Sequence, residues 1–162
     1  MIKITRKDLL ITDIKKTPLG CSDVLIFIKD IDREFFPSLS LKVDLTLWSK
    51  KIFDKSYILI VTDSNKSKIL ALLSFYCNDY KNSYSYIPLV GVLKDYRKLG
   101  LAKAMFKECF TILKKDNFKT LGIKTWKGSL AYNIYSSLGF KEVFKKNSKL
   151  NKNISIYLEK KL

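Results

Sequence analysis

Histidine is absent from the 162 residues. Its absence excludes His-ligated metals, Ser-His-Asp and Cys-His nucleophilic systems, and the commonest general base. Any chemistry must then come from Tyr, Asp, Glu, Lys, Ser, Cys or the backbone. Cysteine is scarce: Cys21, Cys77 and Cys109 form an odd set at wide spacings. That pattern fits neither a disulfide framework nor a CxxC metal or redox site. Each reads as a small buried hydrophobe, and Cys109 falls on the apolar stripe of a helix. Long apolar runs are missing too, so no segment has the length a membrane helix needs. The opening MIKITRKDLL lacks the apolar centre of a signal peptide. A soluble cytoplasmic protein with no membrane partner is expected.

Negative charge is in short supply. The chain has 31 Lys+Arg against 15 Asp+Glu, a net +16. Such a surface attracts anions over long range, so nucleic acid, nucleotide cofactors, anionic lipids and acidic proteins are candidate partners. Arginine is almost missing, confined to Arg6, Arg33 and Arg97. Base readout and bidentate phosphate binding favour arginine, and the lysines are spread along the chain. The pattern reads first as a solvated lysine-rich surface and second as a nucleic-acid patch. With 47% hydrophobic residues and no repeat, linker or low-complexity segment, residues 1–162 are expected to form one domain with a real core.

Periodicity divides the chain into elements. Cys21–Phe36 reads as a helix with Ser22 as N-cap, Val24, Leu25, Ile28, Ile31 and Phe35 on one side, and Pro37 as its stop. Val43–Lys55 reads as a shorter helix facing inward through Leu45, Trp48 and Ile52. Strands follow at Ser56–Asp63, Lys68–Cys77 and Tyr84–Leu93, separated by turns at Ser64–Ser67 and Asn78–Ser83. Pro88 and Gly91 predict a bulge or broken pairing near the end of the third. A helix begins after Gly100 with the stripe Ala102, Met105, Phe106, Cys109, Phe110 and Leu113. Then come a strand at Lys119–Trp126, a helix at Ser129–Gly139 with Gly139 as C-terminal cap, and strands at Phe140–Lys146 and Ile154–Lys160. Residues 1–20 are ambiguous, with IKIT a possible edge strand. The order α-α-β-β-β-α-β-α-β-β predicts an α/β fold with a mixed, partly antiparallel sheet covered by helices.

The stretch YRKLGLAKAMFKECF from Tyr96 to Phe110 places basic residues and one glycine where a helix begins. The first backbone N–H groups of a helix lack intrahelical partners, and the helix dipole adds positive potential there. Gly100 admits a close approach to the backbone, Ala102 is small, and Arg97, Lys98 and Lys103 add positive charge. This is a phosphate-binding layout, although neither GxxxxGKS/T nor GxGxxG is present. The pattern is short, and an ordinary capped helix with solvated lysines has the same look.

Two stretches, VGVLKDYRKLGLAKAMFKECF and AYNIYSSLGFKEV, resemble the GCN5-related N-acetyltransferase (GNAT) superfamily. That family carries Gln/Arg-x-x-Gly-x-Gly/Ala after a bulged strand and, further on, a helix ending in Y-x-x-L-G-F. Here these are Arg97-Lys98-Leu99-Gly100-Leu101-Ala102 and Tyr135-Ser136-Ser137-Leu138-Gly139-Phe140. The element order matches along nearly the whole chain, and the specific part lies between residues 86 and 143.

The resemblance implies a GNAT-like twisted sheet of about six to seven strands flanked by about four helices. It implies acetyl-CoA as co-substrate, with no metal. Val90, Gly91 and Val92 would offer their backbone to the pantetheine arm. Arg97, Lys98, Leu99, Gly100, Leu101, Ala102 and Lys103 would hold the pyrophosphate. Tyr135 would protonate the departing thiolate, a role a phenol can fill at neutral pH; as a sequence feature alone it reads equally as a core tyrosine. Many members carry asparagine where Gly128 stands, and Ser129 or Asn133 would have to compensate. Some carry a glutamate base near Tyr86, but no carboxylate lies between Tyr84 and Leu93. The amine would then lose its proton through water, or through Asp79, Glu34 or Tyr86. An N–H near Val92 would polarise the thioester carbonyl. In this family the segment Arg33–Ser40 shapes the acceptor pocket, which makes Phe35 and Phe36 acceptor candidates as well as interhelical packing.

The expected activity is transfer of an acetyl group, by direct attack on the thioester, to a primary amine of a small molecule such as an amino sugar. The alternatives are a macromolecular acceptor (a protein or a tRNA-linked amine) and a non-catalytic basic nucleic-acid-binding module on the same fold. A monomer or homodimer is expected.

Overall fold

The structure, a computed structural model, describes residues 9–144 and 155–162. IKIT, residues 2–5, lies outside them. The helices are α1 (Cys21–Ile31), α2 (Leu45–Lys55), α3 (Leu101–Lys115) and α4 (Leu130–Ser137). The strands are β1 (Ile11–Asp13), β2 (Tyr57–Thr62), β3 (Ile69–Asp79), β4 (Tyr84–Val92), β5 (Thr120–Trp126), β6 (Lys141–Val143) and β7 (Ser155–Lys161). They form one mixed sheet in the order β1-β2-β3-β4-β5-β7-β6. Only β4 and β5 run parallel among the registered pairs, as a helix crossover between them requires. The chain divides into two compact units. One comprises residues up to Phe75 together with Leu89–Glu108, and the other comprises Tyr76–Pro88 with the chain from Cys109 onward.

In the first unit, α1 starts one residue before the expected cap. Gly20 is the N-cap, and the Asp23 carboxylate reaches back to accept its N–H at 2.8 Å. Ser22 therefore lies inside the first turn. The helix is also shorter than the sequence pattern suggests. After Ile31 the chain tightens into a 3-10 turn at Asp32–Glu34, and Phe35 is extended. The Asp32 carboxylate holds the connector beyond the helix, accepting from Ser40 N at 2.8 Å and Ser40 Oγ at 2.6 Å. Asp44 caps α2 through Leu47 N–H, so that helix starts at Leu45 rather than Val43. Val24, Phe27, Ile28 and Ile31 of α1, Ile52 of α2, Ile58 and Ile60 of β2, and Leu72 of β3 form the core, with Leu45, Trp48 and Phe35 packed against it.

Strand β3 runs two residues beyond the expected Cys77 before the turn into β4. In the second unit Asp79 holds that turn by accepting from Asn82 N and Nδ2. The ladder of β4 with β5 pairs Tyr84 with Thr120 through Ile87 with Ile123. Pro88, which has no N–H to donate, follows at once. Leu121, Ile123, Cys109, Leu113, Phe118, Phe140 and Leu158 are buried here. Strand β7 lies between β5 and β6, antiparallel to both.

Candidate functional site

The loop from β4 to α3 belongs to the first unit. A 3-10 turn at Lys94–Tyr96 is followed by two backbone reversals, Lys98 at φ 64° and Gly100 at φ 76°. Glycine suits the second; Lys98 holds a conformation that L side chains rarely adopt. The first helical hydrogen bond of α3 runs from Ala104 N–H to Gly100 carbonyl at 3.0 Å. The N–H groups of Leu101, Ala102 and Lys103 come before it and lack intrahelical partners. Leu101 is buried and anchors the turn, while Lys98 and Lys103 are exposed and Leu99, Gly100 and Ala102 are half-exposed. A glycine, a small residue and two solvated ammonium groups around a helix N-terminus fit an anionic phosphate group.

Arg97 is not a free cation in this loop. Its Nε donates to the Val92 carbonyl at 3.0 Å, and its Nη1 donates to Glu34 Oε2 at 3.2 Å. The Val92 carbonyl at the end of β4 is thereby occupied. Gly91 also has a packing role beyond the expected one. A Cβ there would lie 2.6 Å from Ile31 Cδ1 and 3.4 Å from Phe27 Cζ, so α1 rests directly on the strand. Phe35 and Phe36 part company: Phe35 packs on the core, whereas Phe36 is 78% exposed.

The second unit holds Tyr135. It is buried in α4, at 7% exposure. Helix α4 is capped by Ser129, whose Oγ accepts from Tyr132 N–H at 2.9 Å and shares a hydrogen bond with Thr125 Oγ1 at 3.1 Å. Its other end is a Schellman cap. Phe140 N–H bonds to Tyr135 carbonyl at 3.1 Å, and Gly139 N–H bonds to Ser136 carbonyl at 3.1 Å, with Gly139 at φ 89°. The rings of Tyr135 and Phe140 then meet at 6.1 Å between centroids. Y-x-x-L-G-F is thus the sequence of a helix stop that clamps its own tyrosine. Burial pushes the Tyr135 phenol well above the ordinary tyrosine value, and Tyr86 adds to the shift. It keeps its proton at neutral pH. Asn133 is exposed and sits two positions away on the helix, close to the opposite face.

Tyr86 is pushed up to about 12, first by burial and then by Tyr157, Tyr84 and Tyr76. A phenol with that value is a poor base at neutral pH. Tyr86 pairs with Gly122, and a Cβ on Gly122 would collide with the Tyr84 hydroxyl. Glu159 faces Gly122 from β7, and Lys124 Nζ lies 5.4 Å from the Tyr157 ring centre. The signal available in the sequence is a glycine inside a strand, which marks a close approach. Asp79 is engaged in its turn and Glu34 with Arg97. Gly128 sits at φ 82°, and a Cβ there would meet nothing within 4 Å. Asparagine is the other residue that commonly visits this conformation. Cys109 is buried and its thiol is pushed up by burial, which suits a packing role.

The model of the Acetyltransferase (GNAT) family matches residues 25–140, well over half of the chain. The chain belongs to the GNAT acetyltransferase family. Solved structures agree on the fold. A GNAT-family acetyltransferase from Staphylococcus aureus Mu50 has a TM-score of 0.74 at 18% identity, covering 95% of this chain and 99% of the other. The ribosomal-protein-S18-alanine N-acetyltransferase of Escherichia coli has a TM-score of 0.69 at 16% identity, covering 94% and 93%. Arabidopsis thaliana NAA60, solved in complex with acetyl-CoA, has a TM-score of 0.69 at 15% identity, covering 95% and 98%. No curated protein sequence matches. The GNAT assignment makes the chain an acyltransferase. Among the described residues no helix is long and apolar enough to cross a membrane.

Proposed function

We propose that this GNAT protein transfers an acetyl group from acetyl-CoA to a primary amine of a small molecule. The observation that carries the reading is the turn into α3. Gly100 at φ 76° opens the backbone where the N–H groups of Leu101, Ala102 and Lys103 start the helix, inside the region matched to the acetyltransferase family. Acetyl-CoA supplies the activated acyl group as a thioester. The backbone from Arg97 to Lys103 binds the pyrophosphate, and Arg97, Lys98 and Lys103 neutralise it. Val90, Gly91 and Val92 align the pantetheine arm through backbone groups. Tyr135 holds the proton for the thiolate sulfur. With Tyr86 pushed up to about 12, the acceptor amine passes its proton to water or to a carboxylate.

A second reading, transfer to a protein or tRNA-linked amine, is favoured by the net charge of +16, which would draw an anionic macromolecule to the enzyme. Thermal unfolding with and without acetyl-CoA tests the donor site. At about a hundred times the dissociation constant the ligand should add roughly 2.7 kcal/mol of stability. Free adenine nucleotides should add much less, and the gain should vanish in Gly100→Trp. No gain at saturating acetyl-CoA would remove the donor site, and with it both readings.

A further inference from the structure

The ion pair between Arg97 and Glu34 joins two segments that the sequence pattern treats separately. Arg97 immediately precedes the turn into α3. Glu34 closes the 3-10 turn after α1, in the connector that Asp32 pins through Ser40. The guanidinium is bound on one side by the Val92 carbonyl at 3.0 Å and on the other by Glu34 at 3.2 Å. Both side chains are partly exposed, at 39% and 44%. A pair of this kind is worth at most about a fivefold change in an equilibrium constant. A pyrophosphate carries more negative charge than one carboxylate and would sit only a few residues from Arg97. It would compete with Glu34 for the guanidinium.

We propose that Glu34 is a positioning residue that acts on the donor through Arg97. In the ligand-free protein it holds the guanidinium on the connector. When the donor's pyrophosphate takes the guanidinium, the Glu34 tether opens and the connector from Asp32 to Ser40 loosens. The inference rests on the acyl-CoA reading above and adds a coupling between that site and the connector. Three consequences distinguish it from a static ion pair. Removing the carboxylate strengthens CoA binding, the gain requires Arg97, and donor binding is felt at residues 33–36.

The test is calorimetric titration of CoA into the full chain and into Glu34→Gln, Arg97→Gln and the double variant. Glu34→Gln is expected to bind CoA about two- to fivefold more tightly. Arg97→Gln should bind more weakly, and the double variant should match Arg97→Gln alone. Hydrogen exchange of the peptide spanning residues 33–36 should speed up on adding CoA to the wild type, and not in Arg97→Gln. Unchanged or weaker CoA binding by Glu34→Gln overturns the proposal. So does an equal gain in the Arg97→Gln background, which would reduce the effect to long-range charge. Failure of the wild type to bind CoA at all would overturn the donor site itself, an outcome visible before any variant is compared.

Discussion

A phenol buried as deeply as Tyr135 carries its proton across the whole neutral range. If it protonates the leaving thiolate, Tyr135→Phe should lower kcat about 10²-fold or more while leaving acetyl-CoA affinity unchanged. The wild-type kcat profile should then show no falling limb below about pH 10, the ordinary tyrosine value. A limb near neutrality would assign the proton to another group. Tyr86 offers a separate readout in stability. Its value is pushed up to about 12 in the folded state, against about 10 in the unfolded chain. Between those values the folded state keeps a proton that the unfolded chain has lost, so stability falls as pH rises through the window. Below it both states are protonated and Tyr86 is silent. Urea midpoints measured from about pH 9 upward, just below the unfolded value, should decline less in Tyr86→Phe. At Gly128 the open surroundings and φ of 82° predict that Gly128→Asn folds with a stability change below about 1 kcal/mol. Differential scanning calorimetry checks this, and a parallel CoA titration shows whether the substitution changes affinity for CoA.

At the scale of elements, Gly139 links local structure to the candidate chemistry. An alanine there would be forced into the left-handed region and its Cβ would lie 2.8 Å from Lys160 Nζ. Gly139→Ala should cost about 1 kcal/mol or slightly more in urea unfolding. Because the same cap clamps Tyr135, kcat should fall with it, and acetyl-CoA binding should persist. Much of this was legible beforehand. The helical and strand periods, the glycine cap and the phosphate-like turn all follow from local chemistry written in consecutive residues. The ends of α1 were not, because they depend on which carboxylate reaches which N–H: Asp23 turns back to Gly20, and Asp32 is captured by Ser40, eight residues on. The partner of Arg97 was equally hidden, since Glu34 lies 63 residues away in sequence. The Tyr84 ring over Gly122 needed the β4–β5 register, which no local pattern sets. β1 leaves no clear sequence signal, because three half-buried residues carry too little alternation to stand out.

For the whole molecule, the charge of +16 is the property least explained by packing. It should make acetyl-CoA association faster and tighter at low ionic strength, with affinity falling as salt shortens the Debye length from about 10 Å at 0.1 M to 3 Å at 1 M. A salt-insensitive affinity would confine the role of the lysines to solubility. The proposed enzyme is an acetyl-CoA-dependent transferase with Tyr135 as its acid. The most direct measurement follows free thiol release from acetyl-CoA by wild type and Tyr135→Phe across a panel of primary amines, with acetyl-CoA binding measured on the same samples. Amine-dependent release by the wild type is expected, with a loss of about 10²-fold or more in the variant at unchanged binding. Equal release by the two proteins, or none by the wild type despite tight acetyl-CoA binding, would contradict it.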